Sequence, residues 1–510
     1  MVSALVCLFS AFLVAEPQQP TDSARTVVAR AIDALGGERA LTSIAALHID
    51  TIGHDYLIDQ SERPEGPAIV RYLQTSEARD VAHGWSRVEE QQRFIESPDW
   101  SGEGTATIVD TDTAAMRRGD RTMPAGRQAF EDGRERIELA PERLLLVARD
   151  AADLARAPDV KVHGIAQRVV TFGWRGRRAR LLIDSGDYVP TSLELSADDP
   201  FGIWGLVTRT TWYSLWTLLP GGVRYPLQVD RDWNGVMQAS ATIAKIAVNP
   251  SIDDAVFSIP AETKRAFASQ PSVSGIPALA LDASRTRDVA PGVVQYAGSW
   301  NVGVVRQPDG LVIVEAPIGS RYSAQVLDET AKRFPGVPVK AVVTTSDAWP
   351  HLGGVREYVA RGISVYALDL NQPILQRLLK ADYTSHPDAL AKTPAQGKFV
   401  WVGGKAVVGS GDTRIELYPM RGENGERMMA AYLPALKLLY SSDEIMRDRS
   451  GAFFMPEFLL EVRDLVRRER LAVDRVFGVH IGVIPWSEIE AAIASASAPA
   501  SGGASAPPAR

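Results

Sequence analysis

The chain has 510 residues, more than one ordinary core accommodates, so two or three domains are expected. Hydrophobic residues make up 45% and charged residues 23%, the balance of a soluble globular protein. A formal net charge of -7 argues against a general nucleic-acid binder, which presents an excess of Lys and Arg.

Residues 2–14, VSALVCLFSAFLV, form an apolar run too short to span a bilayer, followed by Ala15 and the polar EPQQP. The run fits the h-region of a secretory signal over residues 1–15, although a basic n-region is missing, and implies a periplasmic or secreted protein. Cys7, the only cysteine, lies inside it. Removal of the segment leaves no disulfide, no Cys-ligated metal and no cysteine nucleophile.

Thr26 to Leu35 reads as a helix, with Val27, Val28, Ala31 and Leu35 at helical spacing and Gly36-Gly37 ending it. From there to about Pro260 the text is mostly strand-like: ALHIDTIG (46–53), AIVRYL (68–73), QRVVTFGW (167–174), RARLLIDS (178–185) and SLELSA (192–197). Asn234-Gly235 favours a two-residue hairpin turn near the end of this region. The expected domain, residues 22–262, is a large curved antiparallel sheet with a helix against it. Phe201, Trp204, Trp212, Tyr213 and Trp216 cluster in residues 201–216. They suit a ligand groove, a surface for an envelope protein or membrane, or a plain core or domain contact. His48, His54, His83 and His163 are not spaced as metal ligands, and Arg175, Arg177, Arg178 and Arg180 read as a solvated hairpin. Residues 263–284 carry no clear period and read as the connection between domains.

From about Val293 strands and helices alternate, which argues for an α/β layered domain. Two strands flank the Asp309-Gly310 turn. Tyr322 to Phe334 follows as a helix, Pro338 to Thr345 as a buried strand, Val355 to Arg361 as a helix, Ser364 to Ala367 as a strand and Asn371 to Lys380 as a helix. KFVWVG, KAVVGS and TRIELYP then give short strands, and MMAAYLPALKLLYSSDEI a strand, turn and strand. The tail from Ala494, ASASAPASGGASAPPAR, has the composition of a disordered segment.

The strand, elbow and helix at 341–354, AVVTTSDAWPHLGG, resemble the metallo-β-lactamase signature His-x-His-x-Asp-His-x-Gly-Gly. Ser346, Ala348 and Pro350 stand at its three leading positions, while His351, Gly353 and Gly354 match. Further landmarks of that fold follow in order: the strand GLVIVEAP with Glu315, Tyr432-Leu433-Pro434 before KLLYSSD with Asp443, and VDRVFGVHIGVIPW with His480. The resemblance covers 285–493 and implies an αββα sandwich. More weakly, ALGG with LTSIAALHIDTIG, and NPSIDDAVFSIP, resemble a periplasmic lipoprotein-carrier half-barrel, which implies an acyl chain or apolar ligand in the first domain.

The metallo-β-lactamase resemblance implies a broken metal centre. Its first metal would need imidazoles where Ser346, Ala348 and Glu423 or Asn424 stand, and serine and alanine cannot replace them. Its second keeps His351, Asp443 and His480, a set suited to one Zn²⁺ or another divalent ion, with Asp347 near enough in sequence to stand in for the acid lost at Pro350. Trp349, His386, Glu423 and Asn424 are the expected substrate contacts.

Three functions are carried forward. One is an exported one-metal hydrolase of small esters, thioesters or lactones. Another is an inactive pseudo-enzyme without metal that binds a small acyl or apolar ligand, or a partner. The third is a metal-independent serine hydrolase built on Ser346 with Asp347, His351 and Asp443, although no G-x-S-x-G elbow surrounds Ser346.

Overall fold

The computed structural model describes residues 22–58, 68–94, 104–199, 204–270, 280–298, 300–384, 386–448 and 451–497. The signal segment, Phe201, residues 271–279 of the connection and the tail from 498 lie outside them.

Among the described residues, thirteen strands form one antiparallel sheet. It consists of two meanders that meet where the first strand, Ala46–Leu57, pairs with the last, Val236–Val248. Alternation sets the faces: Leu47 and Ile49 are buried, while His48 between them is half-exposed and lies beside Asp50 and Ser76. The expected hairpin forms at Asn234-Gly235, where φ of 50° and 81° puts both residues in the left-handed region a tight turn requires. The arginines of the Trp174 hairpin are all paired: Arg175 with Glu138, Arg177 with Glu135, Arg178 with Asp153 and Arg180 with Glu194.

The first helix is Ala24–Ala34, and its N-cap Ser23 accepts a hydrogen bond from the Thr26 amide. Val27, Val28, Ala31 and Ile32 bury its apolar face in the sheet's main core. Gly36 stops the helix with φ of 111°, and a Cβ there would lie 2.2 Å from the Gly222 carbonyl oxygen. Gly36→Ala therefore combines left-handed strain with a backbone clash, and should lower stability by roughly 1–3 kcal/mol. Urea unfolding of the two proteins checks this; equal midpoints would refute it.

The first part of the expected connection is structured. Ala261–Ala268 is a helix that buries Thr263 and Phe267, one turn apart, and the Phe267 ring packs tilted against Phe130 at a centroid distance of 5.6 Å. A two-turn helix shows its period too briefly to stand out in sequence. The tail also starts later than Ala494, because helix Trp486–Ala496 buries Ile489 and Ile493 and carries the small residues along.

The rest of the described chain is an αββα sandwich. A seven-stranded sheet is antiparallel through Gly310–Val314, then parallel through Val339–Val343, Ser364–Leu368 and Phe399–Val402. It faces a six-stranded sheet whose strands Leu438–Ser441 and Arg475–Gly478 pair in parallel. Val312, Val314 and Val343 from one sheet meet Leu417, Tyr440 and Phe477 from the other in the central core. Helices Ser320–Arg333, Val355–Ala360 and Gln372–Lys380 cover the outer face of the first sheet. Pro456–Arg468 and Trp486–Ala496 cover that of the second.

The aromatic stretch near 204–216 does not act as one surface. Trp204 packs on the sandwich core with the Arg377 guanidinium 4.3 Å from its ring, so it sits where the two units meet. The Leu206 amide donates to the Asp382 carbonyl across the same contact. Tyr213 is buried in the first unit, and Trp212 donates from Nε1 to Asp232. Among the described residues no helix is long and apolar enough to cross a membrane.

Candidate metal centre

Both sheets deliver their polar residues at strand ends. The parallel register pairs Ser441 with Gly478, so Asp443 and His480, each two residues further on, emerge side by side. On the facing sheet Val314 pairs with Val343, which sets Glu315 beside the polar elbow Thr344–Asp347. His351 rides on the short helix Trp349–Leu352 that follows the elbow. That helix lies close to the 315–318 turn because Gly354 has no side chain: a Cβ would sit 2.0 Å from Ser323 Oγ and 2.9 Å from the Ala316 carbonyl oxygen.

The convergence is tight. Asp443 Oδ1 lies 2.8 Å from His480 Nε2 and 3.0 Å from His351 Nε2, and Asp443 Oδ2 accepts a 2.9 Å hydrogen bond from Ser346 Oγ. The two imidazoles meet edge to face at 5.6 Å. On its far side His351 Nδ1 lies 3.2 Å from Glu315 Oε2. A carboxylate can only accept, so that contact keeps a proton on Nδ1 and turns Nε2 toward Asp443 and His480. Glu315 is held in turn by the amide and hydroxyl of Thr345, and it is fully buried with φ of 84°, a left-handed backbone for a residue with a side chain. His351 is enclosed, whereas the side chains of Asp443 and His480 stay 17% and 21% exposed, so solvent reaches the cluster from their side.

The electrostatics follow from that packing. Burial opposes charge on His351, but Asp443 and Glu315 outweigh it and push the imidazole up to about 10. Burial also works against the Asp443 carboxylate, yet His351 and His480 hold it well below its usual range. Without an ion the His351 imidazolium therefore faces the Asp443 carboxylate. Burial pushes the Asp347 carboxyl up to about 7, against the pull of Arg427, whose Nε is 3.1 Å away.

The donor chemistry suits a divalent cation. Two imidazole nitrogens and a carboxylate oxygen lie within 4.8 Å of one another, from residues 351, 443 and 480. A carboxylate behind an imidazole, as Glu315 stands behind His351, is the usual support for such a ligand. Glu315 entered the sequence reading only as a fold landmark. Its signal was an acid closing the wholly apolar run Gly310–Val314, and its partner became visible only through sheet register.

The remaining expected site residues scatter. Asp347 turns to Arg427 and is not among the converging donors, so it does not replace the acid missing at Pro350. Ser346 is buried and its hydroxyl meets a carboxylate rather than an imidazole. The backbone of Trp349 starts the short helix, while its side chain lies outside the described residues. His386 is exposed and pairs with Asp198 of the first unit at 2.7 Å. Glu423 is exposed, and Asn424 is tied by its amide and its Nδ2 to Glu461 at 3.0 and 2.9 Å.

Next to the cluster, Glu444 is buried, accepts from Ser441 Oγ at 3.0 Å, and is pushed up to about 8 by burial and by Asp443. A carboxyl raised in the folded state stabilises it fully below the ordinary value of 4.5 and loses that contribution as pH rises to about 8. Between those limits stability should fall with pH, and Glu444→Gln should flatten that part of the slope. Urea midpoints of both proteins at pH 5 and pH 8 measure it; parallel profiles would refute it.

The sequence matches no protein-family model and no curated protein. Among solved structures it is similar to the inverting sec-alkylsulfatase Pisa1 from Pseudomonas sp. at 16% identity and a TM-score of 0.31, over 41% of this chain and only 40% of the sulfatase. It is similar to TMB-1 at 15% identity and a TM-score of 0.33, over 42% of this chain and 98% of that one. A metallo-beta-lactamase from Pontibacter korlensis gives 17% identity and a TM-score of 0.32, over 41% and 96%. Likenesses this weak say nothing of chemistry, which rests on the chain's own residues.

Proposed function

We propose that this protein is an exported hydrolase of metallo-β-lactamase fold that works with one divalent ion on small esters, thioesters or lactones. The observation that carries the reading is the convergence of His351, Asp443 and His480, with Glu315 orienting the enclosed imidazole. An ion held there would supply Lewis acidity toward a carbonyl oxygen. The chain's own residues supply the rest. Glu315 and Thr345 fix the His351 ring, and Ser346 fixes the carboxylate of Asp443. Export rests on the apolar run at 2–14.

A second reading has its own support: the donors already satisfy one another, as a metal-free binding protein would require. Elemental analysis of protein purified without added metal, with ester hydrolysis measured with and without chelator, separates the two. Stoichiometric metal and chelator-sensitive turnover are expected. Turnover that survives chelator and disappears in Ser346→Ala would move the chemistry to the serine; no metal and no turnover would leave the binding protein.

A further inference from the structure

The two imidazoles of the cluster are held in different ways. The His351 ring is fixed from behind, where Glu315 meets its Nδ1. His480 has its Nε2 contact with Asp443 at 2.8 Å, and among the described residues nothing bonds its Nδ1. The direction of its ring therefore depends on the backbone that carries it, the 478–481 loop after strand Arg475–Gly478. That loop lies close to the strand leading to Asp443 because Gly478 has no side chain: a Cβ would sit 2.3 Å from the Ser441 carbonyl oxygen.

Two buried amide side chains reach this loop from the facing sheet. Gln295, in strand Val293–Tyr296, donates from Nε2 to the Gly478 and Ile481 carbonyls, each at 2.9 Å. Asn301, just before strand Val302–Gln307, donates from Nδ2 to the same two carbonyls at 3.1 and 3.0 Å. The Asn301 backbone amide donates to the Val479 carbonyl at 2.8 Å, and its Oδ1 accepts from the Gly298 amide at 3.0 Å. The Gly478 amide adds a longer contact of 3.4 Å to the Ile481 carbonyl, which closes the loop on itself. A carbonyl only accepts, so both NH2 groups must face the loop, and each carbonyl has both lone pairs taken by them. A buried turn needs its carbonyls satisfied, but one amide would do that. Here two amides converge, and their bonds fall on the residues that flank His480.

We propose that Gln295 and Asn301 are positioning residues of the metal centre: they fix the carbonyls on either side of His480 and so aim its Nε2 at Asp443, where His351 also converges. The role in metal binding rests on the one-metal reading, and the test separates the two. Gln295→Met and Asn301→Leu keep the side-chain size and remove the donors. In the metal-free full chain with nitrogen-labelled histidine, NMR assigned through His480→Gln should show the His480 ring signals displaced in both variants, and those of His351 far less. Titration of the same proteins with cobalt should show affinity lower by about tenfold to a hundredfold. Asp388→Asn, which disturbs the same unit away from this loop, should change neither reading, whereas a merely structural role would make all three variants alike. Asn301→Leu alone suffices if Gln295→Met does not fold. Should the unaltered chain bind no cobalt, the one-metal reading fails, and displaced ring signals still support the amides as the device that aims His480 at Asp443. Unmoved His480 signals in both variants, unchanged affinity in both variants of a cobalt-binding chain, or an equal effect in Asp388→Asn would each overturn the proposal.

Discussion

On the proposed one-metal reading, Asp443→Asn should abolish ion binding and reduce ester hydrolysis to background. Both imidazoles aim at one oxygen of this carboxylate, and an amide offers neither its charge nor a second oxygen. Glu315→Gln, one layer back, should weaken metal affinity by about 10- to 100-fold, because it loosens the ring without removing a ligand. The affinity of the unaltered chain should rise with pH, since the His351 imidazole, pushed up to about 10, must give up a proton to ligate. Competition with a zinc-sensitive dye at two pH values reads all three effects, with circular dichroism confirming that each variant folds. Full metal content in Asp443→Asn would sink the assignment.

Asp388→Ala should destabilise the protein by about 3–5 kcal/mol, because it leaves a buried guanidinium without its carboxylate. Arg356 is nearly enclosed, gives Nε and Nη2 to Asp388 at 2.6 and 2.9 Å, donates to the Leu378 and Leu379 carbonyls, and lies 3.8 Å from the Tyr383 ring. Asp388 also caps helix Ala389–Lys392 through the Ala391 amide. Asp388→Asn keeps an acceptor for that cap and so isolates the loss of charge. Adding Arg356→Met should recover much of the damage, as replacing both members of a buried pair is far cheaper than replacing one. Burial opposes the Asp388 carboxylate, but Arg356 holds it below its usual range. The pair's contribution is therefore present above the ordinary aspartate value and is lost as pH falls through the depressed one. Thermal melts of the single and double variants decide the matter; a double variant no more stable than Asp388→Asn would refute it.

The layered order of the second unit was legible because buried strands and amphipathic helices alternate with distinct periods, and the landmark residues follow the ends of such strands. His351, Asp443 and His480 could be named together for that reason, although they are far apart in the chain. Side-chain direction was not legible. Asp347 adjoins the signature, but the elbow turns it to Arg427 from another loop. The role of Glu315 depends on which strands lie side by side, and register is a tertiary fact.

The metal cluster's internal contacts bear on how the protein matures. Glu315, His351 and Asp443 hold one another in place before any ion arrives. On the proposed one-metal reading, folding would not wait for metal, and loading would be a late step performed on a finished scaffold.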